Sequence, residues 1–175
     1  MASFNVFRLL KYWSSLLRSK LKPLTIHTEA VVIDSIWEEV KNKSNSGKIH
    51  KWYVMTPANY DYFKSSFNVK LSQEKVSKIL KERYKWMINH GQQLELHIHL
   101  SMLMNMTLAE QEKMINEAVN WMKSELNVVP SEVVAGWWCY DSNTLKVLKK
   151  HNLKLIKFSD YDSEHDYEWG FRSRV

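Results

Sequence analysis

The sequence predicts an α/β domain built on a mostly parallel sheet. Three features carry that reading. Short runs of β-forming residues alternate with longer stretches of helical spacing, breakers stand between them, and three of the helical stretches open on a capping residue. Strand followed by helix, repeated, implies right-handed crossovers between parallel strands.

The rhythm begins after Pro23, which closes a preceding helical segment. Leu24 to Thr28 is a short strand, and Ile33 to Lys43 has helical spacing before the breaker loop SNSGK. Lys51 to Thr56 (KWYVMT) is a buried strand ended by Pro57. Ser72 starts a long helix with Val76, Ile79, Leu80 and Met87 on its apolar side, and Gly91 ends it. Gln93 to His99 alternates at period two, the clearest strand in the chain. Thr107 caps the next helix, with Glu110 three residues on as a capping box requires. Beyond Pro130, Glu132 to Trp137 is expected as a strand, Asp141 caps another helix, and Leu153 to Ser159 is the fifth strand. The polar and aromatic end, from Asp160 to Val175, is expected as a loop or frayed tail.

A chain of 175 residues with 45% hydrophobic and 25% charged residues suits one globular domain and not a disordered segment. Residues 23–175 form that domain, and residues 1–22 stand apart as a basic amphipathic helix. In it Phe4, Phe7, Leu10, Trp13, Leu17 and Leu21 recur at helical spacing between Arg8, Lys11, Arg18, Lys20 and Lys22. Such a helix docks on its own domain or lies weakly on a membrane surface. It lacks the unbroken apolar centre of a secretory signal, and no run approaches a membrane span, so a cytoplasmic or membrane-peripheral location is expected. The single Cys139 excludes an intramolecular disulfide and fits a bystander thiol better than a nucleophile. A net charge of +6 favours anionic surfaces in general, but no stripe of basic and aromatic residues supports specific nucleic-acid binding. The composition leaves the oligomeric state open.

In parallel α/β folds ligands bind beyond the carboxyl ends of the strands. At those ends stand His27 and Glu29, two apart in TIHTE, and His97 and His99, sharing a face by strand alternation in ELHIH. Imidazoles with a nearby carboxylate are the donors that zinc and similar divalent ions favour, and such an ion would acidify water and polarise a carbonyl. The plainer alternative is a set of hydrogen-bonded histidines with no ion. No glycine-rich phosphate loop, GxSxG elbow or paired-cysteine spacing occurs. Trp137 and Trp138, followed by Tyr140, suit either stacking on sugar rings or filling the core.

The ordered series LTIHTE, KWYVMTPANYDYF, LELHIHLS and AGWWCYDSNTLKVLKKHNLK, with YEWG as a loose echo, resembles the polysaccharide deacetylase (NodB-homology) family. The resemblance runs from about Leu24 to Gly170 in the right order. It implies an incomplete or distorted (β/α) barrel of about five parallel strands, and metal-dependent hydrolysis of N-acetyl groups on glycans. Position by position, the family's base Asp falls at His27 and its metal-binding Asp at Thr28. Its first metal His falls at His97, its second at Ser101, and its base-orienting Arg at Val134. One ligand position is therefore intact. Two readings follow: an atypical hydrolase with His97 and His99 on a divalent metal, zinc first, and His27 and Glu29 relaying protons; or a pseudoenzyme that binds glycan through Trp137, Trp138 and Tyr140, or serves an assembly or a membrane.

Overall fold

In the computed structural model, residues 24–99, 106–160 and 166–169 are described. The amphipathic segment 1–22, Ser101 and Gly170 lie outside them. The elements are β1 (Thr25–Thr28), α1 (Asp34–Ser44), β2 (Lys51–Met55), α2 (Tyr60–Phe67), α3 (Gln73–Asn89), β3 (Gln93–Ile98), α4 (Leu108–Leu126), β4 (Glu132–Ala135), α5 (Ser142–Lys150), β5 (Lys154–Ile156) and β6 (Asp166–Trp169). Six strands form one sheet in the order β5-β4-β3-β2-β1-β6. Every pairing is parallel.

Strand parity divides the sheet into two faces. Ile26, Trp52, Val54, Leu94, Leu96, Ile98 and Val133 are buried in the main core, with Ile36, Val40, Val76, Leu80, Met87, Ile115, Ala118 and Met122 of the helices. The alternate residues His27, Tyr53, His97 and Val134 point to the other face, where Tyr53, Val134 and Ile156 form a small separate cluster against Trp138. A buried strand residue of the main core such as Leu96 contributes by burial and close packing, so Leu96→Ala would cost about 2–5 kcal/mol.

The helix ends follow the signals in the sequence. Ser72 caps α3 through the Lys75 amide, and Thr107 with Glu110 forms the expected capping box of α4. Asp141 caps α5 by accepting from the Thr144 amide, and its own amide donates in return to the Thr144 hydroxyl oxygen. Gly91 follows α3 at a φ of 77°, one residue beyond the cap, and Asn68 and Asn127 end α2 and α4 in the same left-handed region.

Two expectations need correction. The strand expected over Glu132–Trp137 stops at Ala135, and Gly136–Trp138 is a tight turn with Trp137 and Trp138 at φ 52° and 59°. Hydrophobic content misled there, because bulky residues in the left-handed region terminate a strand instead of extending it. The tail expected to be irregular contains β6, which pairs in parallel with β1 from Thr25↔Asp166 to Thr28↔Trp169. The sheet thus has one strand more than the five read from the sequence.

Candidate metal centre

The carboxyl ends of β1 and β3 lie two strands apart, separated by β2. Parity sends His27 and His97 to the same face there. Both are buried, and their Nε2 atoms are 2.9 Å apart. His97 Nδ1 lies 2.9 Å from the Thr28 carbonyl oxygen, which can only accept. That bond places the proton of neutral His97 on Nδ1 and leaves Nε2 as a bare lone pair. In the metal-free fold His27 Nε2–H must therefore donate to it. Burial, with His27 and His99 close by, holds the His97 imidazolium well below the usual histidine range, so His97 is neutral.

Glu29, just past β1, is also buried. Its two carboxylate oxygens each lie 3.2 Å from His99 Nε2, and among the described residues no other group pairs with them. His99 follows β3 directly and is held on both faces. Tyr62 stacks on it with ring centres 3.8 Å apart at 14°, and a Cβ at Gly136 would come within 2.2–2.5 Å of its ring atoms. Trp137 meets it edge-on at 5.2 Å.

Donor atoms of His27, Glu29 and His97 all lie within 4.8 Å of one another. Two imidazole nitrogens and a carboxylate are a zinc-type donor set. Nitrogens about 2.0–2.1 Å from a tetrahedral ion would stand about 3.3 Å apart, so the 2.9 Å contact needs to open by a few tenths of an ångström. The unprotonated Nε2 of His97, which now accepts from His27, and a buried carboxylate bonded only by a histidine both fit an ion. Thr28 Oγ1 and His99 Nδ1 are buried without hydrogen-bond partners, further signs of an incompletely satisfied region.

The sequence placed His97 and His99 on the ion, with His27 and Glu29 as proton carriers. The fold brings donor atoms of His27, Glu29 and His97 within reach of one ion and sets His99 against Glu29. Trp138 lies edge-on to His27 at 5.9 Å, and Trp137 is 47% exposed beside Tyr62 and His99. Tyr140 is 40% exposed and, among the described residues, makes no ring or hydrogen-bond contact with the cluster. Val134, at the family's Arg position, is a buried member of the apolar cluster and orients nothing. Cys139 bonds the Trp137 carbonyl at 3.4 Å. Beside the site a hollow of about 480 Å³ is lined by His99, Tyr62, Asn59, Met106 and Met114.

Sequence reasoning missed Tyr62 and Gly136. Tyr62 lies in a short helix after β2 that the sequence signals poorly. Gly136 at a strand's carboxyl end was the available sign, since glycine there marks a close approach.

The sequence matches no family model and no curated protein. Solved structures do match. The Streptomyces lividans family 4 carbohydrate esterase in complex with acetate superposes with a TM-score of 0.53 at 8% identity, over 84% of this chain and 77% of that one. A Streptococcus pyogenes deacetylase in complex with acetate gives 0.53 at 14% identity, over 74% and 52%. A CE4 family pseudoenzyme from Bacillus anthracis gives 0.57 at 6% identity, over 85% and 54%. The chain thus spans about half the length of the latter two. Its six parallel strands and covering helices are therefore a divergent form of the polysaccharide deacetylase fold, the incomplete (β/α) barrel that the sequence resembles.

Proposed function

We propose that the chain is an atypical metal-dependent hydrolase of N-acetyl groups on glycans, with a centre rebuilt from His27, Glu29 and His97. The observation that supports it most is the convergence of those three buried donors at the carboxyl ends of the strands, where this fold class carries its ligands. The Streptomyces and Streptococcus neighbours, an esterase and a deacetylase each bound to acetate, favour an acetyl substrate.

A divalent ion held there would polarise the amide carbonyl and lower the pKa of water. The residues do the rest. His97 offers its Nε2 lone pair because its Nδ1 proton is committed to Thr28. Glu29 brings negative charge into a buried place where little else balances it. His27 offers the Nε2 that now faces His97, once its proton has moved to Nδ1. Trp137, half-exposed beside the cluster, offers a face for a sugar ring.

The test pairs zinc content with acetate release from N-acetylglucosamine oligomers. Stoichiometric zinc and acetate release, both lost in His97→Ala, is the expected result. Zinc without acetate release across a panel of acetylated glycans would refute the hydrolase reading.

A second reading is favoured by the retention of only one family ligand position and by the likeness to the Bacillus anthracis pseudoenzyme. In it the chain binds glycan without turnover, and Trp137→Ala weakens binding roughly fivefold, the loss of one stacking contact of about 1 kcal/mol. Flat calorimetric titrations across the panel would remove that reading.

A further inference from the structure

We infer that His99 is a positioning residue and not a ligand: clamped between Gly136 and Tyr62, it holds the Glu29 carboxylate against the His27–His97 pair. The use of Glu29 as a ligand rests on the metal-centre reading above, whereas the clamp belongs to the metal-free fold.

Glu29 leaves β1 just beyond its last paired residue, so the strand ladder fixes its backbone less firmly than that of His27. Its side chain is buried, and among the described residues only His99 bonds it. Where the carboxylate points is thus decided by where His99 Nε2 stands. That atom is set by three features. The ring follows β3 directly, Tyr62 covers one face in near-parallel stacking, and the space it occupies exists because residue 136 has no Cβ. A methyl at 136 would collide with Nδ1, Cγ and Cε1 of a ring that has Tyr62 stacked on it. Because 2.2 Å is far inside van der Waals contact, the imidazole must shift. Equal 3.2 Å distances to both carboxylate oxygens leave Glu29 symmetrically held, with its remaining lone pairs available to the neighbouring histidines. Outer partners of this kind tune a centre through ligand orientation, and losing one costs roughly 10–100-fold in metal affinity.

The experiment uses the full chain. Long-range nitrogen–proton spectra of the metal-free protein should show His99 protonated at Nε2, with a resonance that moves in Glu29→Gln. Zinc titrations should then show Gly136→Ala weakened roughly 10–100-fold, and His99→Gln, which keeps a donor, binding more tightly than His99→Ala. Gly136→Ala that folds and binds zinc like the wild type would overturn the proposal. Should that variant misfold, the two His99 variants decide: His99→Ala losing zinc as completely as His97→Ala, with His99→Gln no better, makes His99 a ligand and overturns it. A wild-type protein that takes up no zinc sinks the metal-centre reading, and the clamp is then judged on the spectra alone. An Nε2 resonance indifferent to Glu29→Gln overturns the clamp.

Discussion

The sheet face turned away from the main core carries a polar cluster at each end, and the two are finished differently. At the amino end Lys51 and Tyr53 both donate to Glu132, at 2.8 and 2.6 Å. Glu95 there accepts from the Ser131 amide and hydroxyl and from the Glu132 amide. Each carboxylate has its donors and Glu132 its cation. At the carboxyl end Glu29 shares one histidine, His97 Nε2 accepts from a second histidine, His27, with no cation beside them among the described residues, and His99 Nδ1 has no partner. A closed polar network rigidifies a fold, whereas an open one costs stability and is retained where something binds.

Removing His97 should sharpen that contrast most. His97→Ala is expected to abolish zinc uptake, read by elemental analysis, while the corresponding loss of Glu132 at the other end leaves zinc content unchanged. Next comes Glu29→Gln, which should weaken zinc roughly tenfold or more.

Acidification separates the ends further. Burial, then the neighbouring His27 and His99, depresses His97 below its ordinary value of 6.5, and burial, then Lys43 and Lys48, depresses His50 in the same direction. The folded state therefore binds fewer protons than the unfolded chain below about pH 6.5, and stability falls as pH drops through that range. His97→Gln should flatten the lower part of the profile in urea melts at stepped pH. An unchanged profile would show that His97 is not the group responsible. The smallest effect is expected from Glu132→Gln. For Glu132, partial burial opposes ionisation, but the bonds from Lys51 and Tyr53 outweigh it and hold the carboxyl below its ordinary range. Because the Lys51–Glu132 pair is partly exposed, its loss should cost less than about 1 kcal/mol and shrink further in salt.

Most of the scaffold was legible because its signals are local. Capping residues such as Thr107 and Asp141 act within one turn, and period-two alternation in Gln93–Ile98 assigns faces directly. Parity also put His27 and His97 on faces that could meet. It could not say which partners they would choose, since the His27–His97 bond spans 70 positions and depends on strand order. His99 was read as a ligand because it shares parity with His97; in the fold its Nε2 faces the Glu29 carboxylate beside the slot at Gly136, a placement no local signal announces. β6 was hidden because its pairing is set by the free edge of β1, a property of the assembled sheet and not of the segment itself. Trp137 misled for the opposite reason, its hydrophobicity suggesting a strand where the backbone turns left-handed.

The most direct test is a zinc titration of the metal-free protein at pH 8 with the released protons counted. The account predicts one equivalent of zinc and close to no proton released by the two histidines, because the proton that His27 Nε2 now donates to His97 moves to His27 Nδ1 when an ion takes its place. The same titration should be silent in a Glu29→Gln, His97→Ala double variant. No uptake by the wild type, or undiminished uptake by the double variant, would contradict a centre built from His27, Glu29 and His97.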